Sequence, residues 1–154
     1  MALAAAGLNA WRLSRWHGAR TLRLPLLWAL HLGYAWLVVG LAVKGAGSLT
    51  GLFPAATALH GITIGAIGTM TLAMMTRVTL GHTGRPLEAG PIMAVAYLGP
   101  TLAALVRLVT PLAAPGAYAA SVTVSSVLWV ASFAVFCALF VPLLLRPRGD
   151  GTAG

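Results

Sequence analysis

Acidic residues are almost missing from this sequence: of its 154 residues, only Glu88 and Asp150 carry a carboxylate. Neither lies inside a long apolar run, so carboxylate acid–base chemistry within the apolar part of the chain is excluded. An ordinary proton-coupled transporter, which needs buried acids, is disfavoured for the same reason. Charge of either sign is scarce, at 8% of residues, where a soluble domain carries about a quarter. Such a chain cannot dress a water-facing surface and belongs in a bilayer. The formal charge of +8 reflects missing acids more than abundant bases, since Lys44 is the sole lysine. The arginines flank apolar segments instead of forming a stripe on a polar surface, which sets nucleic acid aside. One cysteine, Cys137, permits no internal disulfide and no CxxC motif. It reads as a small packing residue. No nucleophile–base pair and no phosphate loop can be recognised. The opening MALAAAGLNA has no basic stretch ahead of its apolar residues, so it does not read as a cleavable signal peptide.

What is abundant is hydrophobicity, 59% of the chain. A hydrocarbon core of about 30 Å needs roughly 20 helical residues. Four segments meet that length: 25–43, 55–80, 91–112 and 117–145. The expected architecture is an all-α polytopic bundle of four membrane-spanning helices. Pro25 and Pro91 suit first-turn positions, and Pro100 falls mid-span and is expected to kink the third helix. Arg12, Arg15, Arg20 and Arg23 precede the first span, Arg77 and Arg85 flank the turn after the second, and Arg146 and Arg148 follow the fourth. The opposite loops offer only Lys44, with Arg107 just inside the third helix. By the positive-inside rule both termini are cytoplasmic. Three parts follow: an interfacial segment over 1–24, the transmembrane domain over 25–145, and a flexible cytoplasmic tail over 146–154. In the first, "WRLSRWHGARTLR" mixes Trp and Arg as a headgroup region does, and His17 is expected to face headgroups or water.

The second span holds the densest pattern. Gly61, Gly65 and Gly68 make a small-residue seam against which a neighbouring helix, or a partner chain, can pack closely. At 100° per residue, His60, Ile64, Ile67, Thr71 and Met74 share a second face, and Arg77 projects with Thr63 and Met70 from a third. Three differently furnished faces predict a helix surrounded by protein.

His31 and His60 are ionisable groups inside spans, where burial is costly. Two readings stand for each: an interhelical hydrogen bond, or an axial ligand to haem iron. His31 lies about 9 Å from Pro25 along its helix, whereas His60 lies about one turn from the outer end of the next. Their depths differ by roughly 10–15 Å, so they belong to two sites. His82, at the cytoplasmic end of the second span, is a further candidate. Arginine suits carboxylate groups such as haem propionates. Arg107 and Arg85 are expected to snorkel to headgroups, while Arg77 is expected to meet a structural or functional partner. Met70, Met74 and Met75 offer soft thioethers for copper, although adaptable packing is their commoner use.

The passages "PLLWALHLGYAWLVVGL" and "ALHGITIGAIGTMTLAMMTRVTLGHTGRPL" resemble the NnrS family, and the resemblance runs over roughly residues 10–146. These are bacterial multi-pass membrane proteins described as binding haem and copper and linked to the nitric-oxide response of denitrifying bacteria. The resemblance implies a haem-binding, and also copper-binding, protein of the bacterial inner membrane, active in nitric-oxide metabolism or nitrosative stress. It carries over His31, His60 and His82 as ligand candidates and Arg77 and Arg85 as propionate partners, with a b-type haem the expected cofactor. Family members are longer and have more membrane helices, so the resemblance is to their C-terminal part. Partner helices, from a missing N-terminal part, another chain or a second copy, are therefore expected beside the bilayer itself. No reaction is assigned. Two other classes stay open: a non-catalytic assembly or anchor module packing through the glycine seam, and a small-solute or metal transporter.

Overall fold

The computed structural model describes residues 1–52 and 54–151. Among them the regular structure is helical, with no strand. It comprises five long helices, α1 (Ala2–Ser14), α2 (Pro25–Thr50), α3 (Ala55–His82), α4 (Pro91–Ala113) and α5 (Pro115–Leu144), with a short 3-10 turn at Gly18–Thr21 between the first two. The last four are 26, 28, 23 and 30 residues long and apolar enough to cross a membrane. The four expected spans are therefore present, in the expected order.

Small residues decide how closely α2 and α3 approach. Gly33 of α2 meets Met70 and Ala66, and Gly40 meets Ile62 and Gly61. With no side chains between them, the backbones come into direct contact there. Helix α4 packs against both α3 and α5. The core at the Pro25 end gathers Leu26, Ala29, Leu72, Met93, Tyr97, Phe136 and Phe140, with the two phenylalanine rings stacked at 5.0 Å. Deeper along the bundle, Trp36, Ala66 and Ala104 form a second, smaller core.

Helix α4 breaks at Tyr97 between Pro91–Ala96 and Leu98–Ala113. Pro100 is buried there and has no N–H to give to the preceding turn. The expected kink is thus found, one turn upstream of the proline.

Helix α3 departs from the regular helix that its face assignments assumed. Gly61–Gly68 is wound as a π-helix, whose hydrogen bonds run i→i+5, so each residue turns through a smaller angle. Faces read at 100° per residue drift across this stretch. Ile67, Thr71, Met74 and Arg77 are exposed, together with Thr63, Met75 and Val78. Helix α3 is not enclosed by protein; this side faces the surroundings, which in a bilayer are lipid. The glycine seam faces inward, where Gly61 meets Gly40 and Gly65 meets the Trp36 indole. A partner chain is not needed to fill it.

The two flanking parts also differ from expectation. Helix α1 does not lie apart at an interface: it packs along α2 in the opposite direction, with Leu3 against Gly45 and the Tyr34 hydroxyl donating to Asn9 Oδ1. Met1 therefore lies toward the far end of α2, while Pro25 and Leu144 share the arginine-bearing end. The apolar residues of MALAAAGLNA explain the docking: Leu3 lies against Gly45 of the neighbouring helix, and Ala6 is buried. At the other terminus, the tail is held to residue 151: the Gly149 amide donates to Thr83 O at 2.9 Å, and Arg148 pairs with Asp150 at 2.7 Å. Residues 152–154 lie outside the described residues.

Candidate functional site

His31 sits on the second turn of α2. Its Nδ1 lies 2.8 Å from Leu27 O, an acceptor only, so Nδ1 carries the proton and Nε2 the lone pair. Nε2 is buried and has no hydrogen-bond partner. The Trp16 ring stands edge-on at 6.0 Å. Gly18 lies over the imidazole so closely that a Cβ there would meet His31 Cδ2 at 3.0 Å. The approach comes from the reversal between α1 and α2, where His17 takes a left-handed backbone (φ 51°) uncommon for a residue with a side chain. His17, Gly18, Trp28, His31, Leu32 and Leu98 line one wall-to-wall apolar groove of about 600 Å³. His17 is exposed, as expected, but it shares this groove with His31 and does not stand alone among headgroups.

His60 lies elsewhere. The neighbouring Gly61 abuts Gly40, nine residues beyond His31 on α2 and so about 13 Å along the axis. The expected separation into two sites holds. Arg107 Nη2 donates to His60 Nε2 at 3.0 Å and lies 3.0 Å from the Tyr118 hydroxyl. Its guanidinium also stands over the Tyr118 ring at 4.8 Å, a cation–π arrangement. Since Nε2 accepts, His60 is protonated at Nδ1, and that N–H is buried without a partner. Arg107 does not snorkel: it is only 8% exposed, and its Nη1 is buried and unpartnered as well. The sequence carried a signal for this. Pro100, Ala103, Ala104 and Arg107 recur at helical spacing and are the buried residues of their helix.

The remaining candidates cluster at the arginine-bearing end without converging. Arg77 is exposed and lines a cavity of about 350 Å³ with Arg23, Pro25, Leu87 and Glu88. Arg85 is half-buried, its Nη1 donating to Thr83 O at 3.2 Å. His82 is exposed at the end of α3. Among the described residues, no three His, Cys, Asp or Glu side chains come together to enclose a metal ion. The three methionines do not converge on a buried copper site either, as Met74 and Met75 point outward.

These features define a polytopic α-helical membrane protein with two separate histidines on helices long and apolar enough to span a membrane, one beside an open, mostly apolar groove and one beside a buried cation. The family model described as "NnrS protein" matches residues 1–148, and the chain belongs to the NnrS family. The comparisons with curated proteins and with solved structures return no match.

Proposed function

We propose that the protein binds haem in the bacterial inner membrane and acts in nitric-oxide or nitrosative-stress physiology, with His31 as an axial ligand. One observation carries this reading: His31 offers a lone pair at Nε2 with no partner, while its other nitrogen is fixed by Leu27 O. A metal-ligating histidine characteristically donates its second N–H to a carbonyl or carboxylate, which sets the tautomer and raises the basicity of the ligating nitrogen. A groove of about 600 Å³ with mostly apolar walls lies alongside, and since Nε2 is buried beside Gly18, a haem iron would reach it once the Gly18–Thr21 turn moves aside. A haem iron would supply a site for a diatomic ligand. The chain would provide the imidazole, the apolar wall from Trp28, Leu32 and Leu98, and guanidinium groups for the propionates, of which Arg77 with Arg23 is the closest pair to a cavity.

His60 is a poorer ligand, since its Nε2 accepts from a cation. His82 is exposed and has no such fixing partner. A multi-ligand copper centre has no assembled donor set among the described residues, and copper is left out of the proposal. The assembly-module alternative rested on the glycine seam, which α2 fills from within the chain.

Comparing His31→Ala with His60→Ala in detergent tests the reading. His31→Ala is expected to lose haem, while His60→Ala retains it. Equal retention by both would remove His31 from the site.

A further inference from the structure

Arg107 is a buried cation with no counter-ion among the described residues. Its guanidinium contacts are the His60 Nε2 and the Tyr118 hydroxyl, both neutral. The chain's two acids are far from it: Glu88 lines the cavity beside Pro25, and Asp150 adjoins Gly84 at the same arginine-bearing end. Arg107, by contrast, sits near the outer ends of α3 and α4, beside the start of α5. Two donors are left over there, Arg107 Nη1 and His60 Nδ1–H, each buried and without an acceptor. A buried charge lacking a partner is strongly unfavourable, and each unmet buried donor adds to that cost. A bound anion would offset the charge and accept from Nη1; the His60 Nδ1–H points away from the guanidinium, because Nε2 is the ring nitrogen that faces it.

We propose that Arg107, supported by His60 and Tyr118, forms a site for a single oxyanion at the outer end of the bundle. With Nη2 engaged by His60 and Tyr118, Nη1 is the guanidinium nitrogen left to donate, and its charge favours an oxyanion such as a carboxylate or phosphate. Two of its remaining contacts hold it in position: the His60 imidazole accepts from Nη2, and the Tyr118 ring lies beneath the cation. Tyr118 is 50% exposed, so the site opens toward the outer surface and not toward the arginine-rich end. The guanidinium charge, with no carboxylate beside it among the described residues, selects against cations. The same chemistry has two sources, a free small oxyanion from the outer side or the phosphate of an anionic lipid headgroup.

The full-length protein in nanodiscs distinguishes them. In phosphatidylcholine discs at neutral pH, with a buffer free of oxyanions, acetate and inorganic phosphate are titrated separately while thermal unfolding is followed by tryptophan fluorescence. In a second arm, phosphatidylglycerol replaces phosphatidylcholine and no oxyanion is added. The wild-type protein is expected to gain a saturable rise in Tm in at least one arm. A response to the free ions identifies a soluble ligand, and a response to phosphatidylglycerol alone identifies the headgroup. Arg107→Gln is expected to abolish the response, and Arg148→Gln, at an exposed tail arginine, to keep it. Should Arg107→Gln fail to fold, His60→Ala serves instead and is expected to raise the half-saturating concentration about tenfold, because the guanidinium loses the contact that holds it in position. No saturable shift in either arm, or an equal shift in Arg107→Gln, overturns the proposal.

Discussion

The indole of Trp36 occupies the space that any side chain at position 65 would need. A Cβ built on Gly65 would lie 2.5 Å from Trp36 Cδ2 and 2.6 Å from its Cγ. Trp36 is itself fixed, buried to 6% exposure, with Nε1 donating to Thr101 Oγ1 at 3.1 Å. A residue on α2 thus ties α3 and α4 together through one glycine.

Gly65→Ala is therefore expected to destabilise the bundle by about 1–3 kcal/mol, as overpacking of a close contact does. The midpoint of unfolding in a denaturing-detergent titration measures it. Gly7→Ala, at a helical glycine with nothing within 4 Å of the added Cβ, is the matched control. It is expected to be neutral or slightly stabilising, since alanine is the better helix former.

How much of this was legible in the sequence depends on the kind of signal. The four spans follow from runs of apolar residues that no soluble fold would expose, and Pro100 announced its break through a missing N–H. The inward Gly61 and Gly65 were legible as a seam, but not their partner: nothing in the local pattern says that Trp36 of the same chain fills it. The π winding of Gly61–Gly68 leaves no periodic trace, and differently furnished faces were read as protein-facing although Ile67, Thr71, Met74 and Arg77 are exposed. Helix α1 was misread because its Trp–Arg end resembles an interface, while the residues that dock it, Leu3 and Ala6, are too few to count as a span. At the candidate sites, the separation of His31 from His60 followed from rise per residue alone. The contacts that give each histidine its tautomer are invisible without coordinates: Leu27 O is a backbone atom, and Tyr118 belongs to a different helix from Arg107.

The docking of α1 rests on few contacts, which makes it testable. Tyr34→Phe removes the hydroxyl that donates to Asn9 Oδ1, a loss of about 1 kcal/mol. Helix α1 is expected to separate from α2 more often, with the rest of the bundle intact. Labelling of an Ala6→Cys probe, at a position only 6% exposed, should become faster in the Tyr34→Phe background, and an unchanged rate would count against α1 docking through this pair.

The tail is pinned by a turn that only glycine accommodates well. Gly84 has φ 65°, and a Cβ there would come within 2.5 Å of the Asp150 carboxylate carbon. Gly84→Ala combines left-handed strain, about 1–2 kcal/mol, with displacement of that carboxylate. The expected result is faster proteolysis after Arg148 with little change in the stability of the spans. Asp150→Asn is expected to have a much smaller effect, because an exposed ion pair contributes about 0–1 kcal/mol.

The central claim is that His31 and its groove make a haem site within this chain. The direct test is a pyridine haemochrome assay, with the visible spectrum, on the detergent-purified protein. The account predicts a b-type spectrum with about one haem per chain, absent from His31→Ala. A colourless wild-type protein that takes up no added haemin, or a haem content unchanged in His31→Ala, would contradict it.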